Sequence, residues 1–373
     1  MKRHGYLFES ICEPENLYRA YRQARKGKRD RADVVAFELN LEEELSTLRR
    51  ELLSASYRPG PFRHFTIYER KPRLISVAPF RDRVLHHAIM HPVEPLLDRR
   101  FIEDCYACRK GKGVHRAIDR YQHYANRYPY LLKLDIRKYF PSIDHQVLKG
   151  ILRNRFKDRR LLQLLDRIVD YAPQQQGVSQ PLFPGDDLLT PLERRRGLPI
   201  GNLTSQVFAN LYLDDFDHLI KEQLRVGGYI RYMDDLFLFG DDKARLWAVH
   251  EALGHALEPL RLQLHPGKTH LHQSSERMDV LGMIVSRKRR WLRNENGHRF
   301  VRRYRKMLRG IEHRKWGHQD IRPNVQSWLG HAQHGETEGL RRRIFNEYPL
   351  FEAVRNHHTF PLAGGGERRG LVA

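Results

Sequence analysis

The segment 229-YIRYMDDLFLFG-240 decides the fold, because two apolar runs enclose the acidic pair Asp234 and Asp235. Apolar runs of this length on either side of a short polar turn are typical of a β-hairpin. Burial of an unpaired carboxylate costs several kcal/mol or forces the group to take up a proton, so acids are normally kept out of such strands. A bound divalent cation would resolve this conflict. Asp is also common in ordinary hairpin turns, and for this segment alone that role is an equal alternative.

A second acid has a similar setting. The run 130-YLLKLDI-136 is short and apolar, which predicts a buried strand with Asp135 near its end. If this strand neighbours the hairpin, Asp135 and Asp234 can hold two Mg²⁺ ions roughly 4 Å apart. Such a pair of ions activates an attacking 3′-hydroxyl and stabilises a leaving pyrophosphate. The two segments together therefore predict a site for nucleotidyl transfer.

The composition indicates a polyanionic partner. Lys and Arg number 67 against 45 Asp and Glu, a formal net charge of +22, which favours nucleic acid. Hydrophobic residues make up 40% of the chain, enough for a sizeable core, so disorder is excluded as the main state. No apolar run of about 18 residues is present to cross a bilayer, and the first residues form no apolar stretch. We expect a cytoplasmic protein that is neither secreted nor embedded in a membrane.

The cysteine content argues against a disulfide framework. The chain has only Cys12, Cys105 and Cys108, which fits a reducing compartment. Cys105 and Cys108 form a C-x-x-C pair that could bind zinc with His115 as a third ligand. Since no fourth ligand lies near them in the sequence, zinc binding is the minor interpretation.

The remaining chain is predicted to be mainly helical, with short strands between the helices. Hydrophobic spacing predicts helices at 33–55, 81–97, 145–171, 203–226, 242–259 and within the basic stretch 286–316, and short strands within 58–77, 262–271 and 278–285. The segment 138-KYFPSID-144 is expected to be a strand exit closed by Pro141. Pro, Gly and Gln are frequent in 173–202, which predicts a long ordered loop or two short hairpins.

Several other acids are excluded from the predicted site. They fall in predicted loops or on helix faces, where capping or solvation explains them. These acids are Asp144, Asp186, Asp187, Asp214, Asp215, Asp217, Asp241 and Asp242.

The order of the motifs identifies a family. Tyr232-Met233-Asp234-Asp235 in a hydrophobic hairpin resembles the YxDD signature of reverse transcriptases, and 134-LDIRKYFPSID-144 resembles the first-aspartate segment of that family. Four other segments are similar to the family's fingers, lysine-bearing palm turn, primer-gripping hairpin and, for bacterial group II intron-like members, thumb. They are 71-KPRLISVAPFRDRVLHHAI-89, 265-HPGKTHL-271, 279-DVLGMIV-285 and 327-SWLGHAQH-334.

The resemblance implies an α+β, right-hand polymerase fold with fingers, a palm of antiparallel sheet plus helices, and a helical thumb. The expected domains are an N-terminal extension with the fingers at 1–129, the palm at 130–285 including the loop 173–202, a basic helical thumb at 286–360 and a disordered tail at 361–373.

The resemblance also assigns catalytic roles. Asp135 and Asp234 would ligate both Mg²⁺ ions, with Ile136 as a further ligand and Asp235 adding charge and secondary coordination. Lys268 would protonate or neutralise the leaving pyrophosphate. The reaction implied is Mg²⁺-dependent DNA synthesis on a template RNA, with dNTPs added to a primer or cDNA strand.

Four further residues match nucleotide-binding positions of the family. Lys71, Arg73 and Arg81 match fingers residues that would clamp the incoming triphosphate, a role suited to guanidinium groups. Phe140 matches the bulky position that blocks a ribose 2′-hydroxyl and so selects deoxynucleotides. A plain core aromatic is the alternative for Phe140.

The loop 198-LPIGNLTSQ-206 narrows the resemblance further. Most reverse transcriptases have Gln before this Gly and Pro after the Ser, whereas this chain has Ile200 and Gln206. The variant resembles the enzymes of bacterial and phage diversity-generating retroelements, which copy a template-repeat RNA with errors at adenines and work with a small basic accessory variability protein. Gly201 would allow close approach to the base pair, or simply start a helix. The side chain of Ile200 cannot form the hydrogen bonds that a Gln amide would form, which fits low fidelity. The alternative is that Ile200 packs under the fingers and has no effect on fidelity.

In the basic segment, Arg302, Arg303 and Arg305 are the candidates for nucleic-acid contact, with a solvated charged face as the alternative. Two rival functions stay open, namely a retron or free-standing group II-like reverse transcriptase, and a non-catalytic RNA-binding or splicing helper with the same fold. The intact acids Asp135, Asp234 and Asp235 argue against the helper, because a pure binder gains nothing from unpaired acids beside a phosphate backbone.

Overall fold

The structure, a computed structural model, describes residues 3–68, 72–173 and 181–350. The chain divides after Ser274 into two compact units. In the first unit the helices are α1 (Phe8–Cys12), α2 (Pro14–Ala24), α3 (Ala32–Leu39), α4 (Leu41–Leu53), α5 (Phe80–Asp98), α6 (Val114–Arg127), α7 (Tyr139–Ser142), α8 (His145–Arg155), α9 (Arg159–Asp170), α10 (Thr190–Glu193), α11 (Leu203–Tyr212), α12 (Asp214–His218) and α13 (Lys243–Leu257), and a π-helical turn spans Leu219–Gln223. Its strands are β1 (Arg63–Tyr68), β2 (Pro72–Val77), β3 (Tyr130–Asp135), β4 (Gly228–Tyr232), β5 (Asp235–Gly240) and β6 (His270–Gln273).

The central sheet of the first unit has the strand order β4-β5-β3-β6, and every neighbouring pair is antiparallel. Its inner strands are apolar over most of their length because helices cover the sheet. The ring of Tyr121 in α6, for example, packs edge-on against Phe237 and Phe239 of β5 at 5.7 and 5.3 Å between centroids. The predicted burial of the two acidic strands is confirmed.

A separate antiparallel hairpin, β1-β2, precedes the long helix α5. All six residues of β1 are exposed, whereas α5 is buried over much of its length. An aromatic cluster joins α2, α3 and α5, with Phe37 edge-on to Phe80 at 5.1 Å and stacked on Tyr21 at 6.0 Å. The hairpin is therefore an exposed projection from a well-packed helical base.

The second unit combines a small sheet with helices. Its described elements are β7 (Met278–Val280), β8 (Met283–Val285), β9 (Arg290–Leu292), α14 (Asn294–Glu312), α15 (His318–Ala332) and α16 (Glu338–Glu347), with the strands antiparallel in the order β7-β8-β9. The helices share a core in which the ring of Phe300 stacks on Trp328 at 3.9 Å and Ile321 and Ile344 are buried. The unit begins at Ser275, so it includes β7 and β8, which the sequence had placed in the palm ahead of a boundary at 286.

Most predicted helices and strands are confirmed, and the differences are breaks at particular residues. The segment 33–55 forms two helices because the backbone of Asn40 leaves the helical region, with φ −118° and ψ 32°. The predicted helix from 203 is interrupted at Leu213 and continues as α12 and the π-helical turn. The segment 145–171 is likewise divided into α8 and α9.

One prediction about a loop is wrong, and one of two alternatives for another loop is excluded where the structure describes it. Pro141 lies inside the short helix α7 and does not close a strand exit, which its fixed φ permits so early in a helix. In the described part of 173–202, which is residue 173 and residues 181–202, the chain is a loop that contains the short helix α10 and no strand. The alternative of two hairpins is therefore wrong there. The predicted disordered tail 361–373 lies outside the described residues.

Candidate active site

The predicted carboxylates meet at one end of the central sheet. The β3-β5 register pairs Asp135 with Asp235, and Tyr232 pairs with Asp235 to close the β4-β5 hairpin. Asp234 occupies the two-residue turn between them, and its carbonyl accepts a hydrogen bond from the Ile136 amide at 3.0 Å. The expectation that the two acidic strands are neighbours is confirmed. Residues about a hundred positions apart thus present their carboxyl groups to the same small region.

The turn that carries Asp234 has an unusual backbone. Met233 has a φ of +55°, which is uncommon for a residue that is not Gly, Asn or Asp. Such a conformation costs about 1–3 kcal/mol and persists only where the surroundings enforce it. Here the paired strands β4 and β5 enforce it, because only two residues link them. The tight turn therefore fixes the position of the Asp234 backbone, from which the carboxylate projects.

Burial and neighbouring charge act together on Asp234. Burial, reinforced by the charges of Asp235 and Asp135, raises the pKa of Asp234 to about 6, while the charge of Lys268 opposes the rise. An excess of negative charge is thus held in a poorly solvated place. A cation bound there would relieve it.

Lys268 is the described cation that reaches this acidic group directly. Its Nζ donates to Asp135 Oδ2 at 2.6 Å, although 45% of the Lys268 side chain is exposed. A turn positions it, since the His265 amide donates to the Asp135 carbonyl at 2.8 Å and the Lys268 amide to the His265 carbonyl at 3.2 Å. The sequence linked Lys268 to the site only by resemblance, and the structure shows the contact.

The predicted nucleotide-binding loop contacts the β1-β2 hairpin. The Ser76 amide of β2 donates to the Ile200 carbonyl at 3.0 Å, and Asn202 Nδ2 donates to the Ser76 carbonyl at 2.9 Å. Gly201 has a φ of +113°, and a Cβ at this position would lie 3.0 Å from Ile75 Cγ2. Glycine is therefore required both by its backbone and by the close approach of β2. Gln206 lies one turn into α11 and is partly buried.

Phe140 lies in α7, which follows β3 after three intervening residues. Its side chain is partly buried, with its ring edge-on to Tyr139 at 5.8 Å, and its carbonyl accepts a hydrogen bond from the Leu198 amide at 2.9 Å. This bond joins the segment of Phe140 to the loop that holds Ile200. The two residues that the sequence assigned to substrate selection are therefore carried by connected segments.

The basic residues assigned to the fingers have different surroundings. Arg73 lies on β2 and is exposed, whereas Lys71 lies outside the described residues. Arg81 is engaged within the protein, because its Nη2 lies 2.6 Å from Glu51 Oε2 and its guanidinium lies over the ring of Tyr57 at 5.8 Å. Contact of Arg81 with a triphosphate would have to compete with Glu51.

A buried charge network beneath the hairpin was missed by the sequence analysis. Arg231 of β4 and Asp217 of α12 are both fully buried and form a bidentate pair with distances of 2.7–2.8 Å. Tyr229 Oη donates to Asp217 at 2.7 Å, and Arg231 Nη1 donates to Asn210 Oδ1 at 3.1 Å. The prediction that Asp217 is solvated or a cap is wrong. The available signal was Arg231 itself, a cation inside an apolar strand.

Other excluded acids also differ from the prediction. Asp214 is buried and pairs with Arg155 at 3.4 Å, so its solvated role is wrong. Asp144 and Asp242 accept amide hydrogen bonds at the starts of α8 and α13, so their capping roles are confirmed. Asp144 is nevertheless fully buried.

The two cysteines of the C-x-x-C pair have different surroundings. Cys105 is buried, its Sγ lies 3.6 Å from Asn210 Oδ1, and burial raises the pKa of its thiol to about 11. Cys108 is exposed. A thiol with a raised pKa is a poor metal ligand at neutral pH, because the thiolate is the ligating form.

Comparison with known proteins decides the family. Residues 66–285, about three fifths of the chain, match the family described as reverse transcriptase (RNA-dependent DNA polymerase). The chain belongs to the reverse transcriptase family. Its activity class is accordingly RNA-directed DNA polymerase, and its fold is the α+β right-hand polymerase fold that the sequence predicted.

Individual relatives of this reverse transcriptase are distant. It is 25% identical to protein YkfC of Escherichia coli over 329 residues, which cover 76% of this chain and 83% of YkfC. It is 21% identical to group II intron-encoded protein LtrA of Lactococcus lactis subsp. cremoris, over 58% of this chain and 35% of LtrA. A structure of apo telomerase from Candida tropicalis aligns with a TM-score of 0.43 at 13% identity, covering 64% of this chain and 57% of that chain.

The donor set of the reverse transcriptase site fits divalent metal ions in its chemistry. Carboxylate and carbonyl oxygens are the ligands that Mg²⁺ prefers, and Asp135, Asp234, Asp235 and the Ile136 backbone supply them. Across the described ranges, no three His, Cys, Asp or Glu side chains are already gathered as a metal cage. Lys268 instead contacts the Asp135 oxygen that a metal ion would use.

The candidate nucleic-acid residues lie in the second unit. Arg302, Arg303 and Arg305 are exposed on α14, whose other side provides the buried residues Phe300, Tyr304 and Leu308. The guanidinium of Arg305 lies over the ring of Tyr348 at 5.2 Å. The helices in the described part of the chain do not combine the length and apolar character that a membrane crossing requires.

Proposed function

We propose that this reverse transcriptase copies an RNA template into cDNA with Asp135, Asp234 and Asp235 as its catalytic carboxylates. The observation that carries the proposal is the β3-β5 register, which sets Asp135 opposite Asp235 beside the Asp234 turn. Two Mg²⁺ ions held there would polarise the primer 3′-hydroxyl and stabilise charge on the departing pyrophosphate. Template RNA, a primer or cDNA strand and dNTPs are the substrates.

The residues of the chain have separate tasks in this proposal. Asp135 and Asp234, with the Ile136 carbonyl, hold the ions, and Asp235 adds negative charge. Lys268 gives up its contact with Asp135 and neutralises or protonates the pyrophosphate, which its half-exposed side chain can reach by rotation. Arg73 and Arg81, with Lys71, contact the triphosphate from the fingers.

Primer extension on a defined RNA template tests the proposal. Asp234→Asn should abolish incorporation in Mg²⁺ while RNA binding survives, because the substitution removes a ligand and also reduces repulsion of phosphate. Asp241→Asn is the matched control, since it changes an exposed Asp just after the opposite end of β5. Substantial polymerisation by Asp234→Asn would overturn the assignment.

The subtype that we propose is a diversity-generating retroelement enzyme, which makes errors at template adenines and acts with a small basic accessory variability protein. Ile200 before Gly201 and Gln206 after Ser205 support it. The Ile200 carbonyl is already bonded to the Ser76 amide, and the aliphatic side chain of Ile200 can offer the nascent base pair only apolar contact. Apolar contact discriminates by about 1–3 kcal/mol, whereas unpaired polar groups reject a wrong partner more strongly.

Sequencing of cDNA made on a defined RNA tests the subtype. The wild type should misincorporate more often opposite adenine than opposite other bases, and Ile200→Gln should lower that excess selectively. Ile200→Leu, which stays apolar, is the control and should keep the excess. An even error spectrum in the wild type would contradict the subtype while leaving polymerase function intact.

The second candidate is a retron or free-standing group II-like reverse transcriptase. Its support is the match to the intron-encoded LtrA. The cDNA error spectrum separates the candidates, because the group II-like enzyme has no reason to single out adenine.

A further inference from the structure

A basic cleft lies on the first unit beside the end of β3. Three segments form it, namely the chain from Arg137 into α7, residues 181–196, and the loop at 261–263 after α13. Its volume is about 440 Å³, including the open mouth. The cations that line it are Arg137, Lys138, Arg194, Arg196 and Arg261. None of them has a role in the catalytic proposal above.

Two carboxylates contact two of these cations. Asp144 Oδ2 accepts a hydrogen bond from Arg261 Nη1 at 2.7 Å and lies 3.3 Å from Arg194 Nε. Arg194 also contacts Asp186, which holds the pKa of that carboxyl below its ordinary value. Arg137 and Lys138 add two positive charges to the same concave place.

The exposed positive charge of the cleft lies at its mouth. Arg137 and Lys138 are exposed, and neither forms an ion pair with a residue that the structure describes. Deeper in the cleft, burial and the nearby charge of Arg194 lower the pKa of Arg196. Like charges are therefore held together at a cost, which a bound anion would offset.

Backbone hydrogen bonds fix the walls of the cleft relative to one another. The Arg137 amide donates to the Gln263 carbonyl at 2.9 Å, which joins the first wall to the third. The Gly197 amide donates to the Ile143 carbonyl at 2.8 Å and the His145 amide to the Arg195 carbonyl at 3.0 Å, which joins the first to the second. The charges are thus preorganised and do not need to be gathered when a ligand arrives.

We propose that this cleft is a binding site for a phosphate group. Guanidinium groups bind phosphate oxygens through paired N–H donors, and the cleft offers several of them with Ser142 and Gln263 as neutral partners. The phosphate comes either from pyrophosphate or from a nucleic-acid strand. The proposal does not rest on polymerase function, because binding alone tests it.

The test compares two doubly substituted full-length chains. Arg137→Gln/Lys138→Asn removes the charges at the mouth, and Asn tolerates the positive φ of 46° at position 138. Arg22→Gln/Lys26→Asn is the control, because it removes the same charge from exposed positions of α2 and the residues after it. Circular dichroism and thermal unfolding verify that both variants fold.

Calorimetric titration with inorganic pyrophosphate, without divalent ions, is the first arm. Anisotropy of a labelled single-stranded RNA over a range of salt concentrations is the second. If pyrophosphate is the ligand, the cleft variant binds it about tenfold more weakly and binds RNA as the wild type does. If a strand is the ligand, RNA binding weakens and the log-log salt slope falls by about 1.4 for two lost contacts. Equal binding in the cleft variant and wild type in both arms, or an equal loss in the control, overturns the proposal.

Discussion

The central sheet and helix α14 both carry charged side chains near a proposed function, but they hold them in different ways. Arg231 of strand β4 in the sheet and Asp217 of the adjoining helix α12 are fully buried and form a bidentate ion pair. On α14, Arg302, Arg303 and Arg305 are exposed. Chemistry needs atoms positioned to within fractions of an ångström, whereas attraction of a polyanion needs only charge density. Substitutions of the buried pair should therefore change stability, whereas substitutions on α14 should change the binding of nucleic acid.

Loss of the buried pair should have the largest effect. Asp217→Asn leaves Arg231 as an unpaired buried charge, which should lower the free energy of unfolding by about 3–5 kcal/mol. Urea denaturation followed by tryptophan fluorescence and circular dichroism measures it.

A double substitution separates charge burial from lost packing. Asp217→Leu/Arg231→Met removes both charges, and replacement of a buried pair by apolar residues is often neutral or stabilising, so this variant should recover most of the lost stability. If Asp217→Asn costs less than about 1 kcal/mol, the pair is not the rigid support that the comparison requires.

The exposed charges of α14 should instead change binding without changing stability. Substitution of Arg302, Arg303 and Arg305 by Gln should reduce the log-log salt slope of template-primer binding by about 2.7, at 0.9 per lost phosphate contact. The same three positions changed to Lys should keep the slope, because Lys retains the charge. An unchanged slope in the Gln variant would make this surface an ordinary solvated face.

Phe140 should show the smallest effect, on substrate choice alone. Phe140→Ala removes the ring that is expected to exclude a ribose 2′-hydroxyl, so the preference for dNTP over rNTP should fall by about tenfold, equivalent to about 1.4 kcal/mol. Single-nucleotide incorporation kinetics measure the ratio. Phe140→Tyr keeps the ring and should behave as the wild type, and a wild-type ratio in Phe140→Ala would make Phe140 an ordinary core residue.

The acids of the proposed site could be singled out from the sequence because their signal is local. Asp135 and Asp234 each stand beside apolar residues that predict a strand, and this conflict between charge and burial is visible within a dozen residues. The pairing of Asp135 with Asp235 joins residues that are distant in the sequence. The sequence analysis could therefore only assume that the two strands are neighbours. Lys268 was named by resemblance, because nothing in its own segment indicates that it contacts Asp135.

The buried network was missed for the same physical reason. Asp217 lies on a short helix with acidic neighbours, which resembles a solvated face until Arg231 is known to lie against it. The breaks at Asn40 and Leu213 were missed because hydrophobic spacing continues across them, and only the backbone angles show the interruption. Hydrophobic periodicity therefore does not reveal contacts between residues that are distant in the sequence, nor breaks in a helix at a single residue.

We propose that the carboxylates at the end of β3 and in the β4-β5 turn hold the ions that catalyse nucleotide transfer. Electron paramagnetic resonance of Mn²⁺, titrated into the chain with template-primer and dNTP, tests it most directly. The wild type and Asp241→Asn should each bind two Mn²⁺ ions tightly. Asp234→Asn should bind fewer Mn²⁺ ions, or the same number much more weakly. Equal number and affinity of Mn²⁺ ions in Asp234→Asn and the wild type would contradict the account.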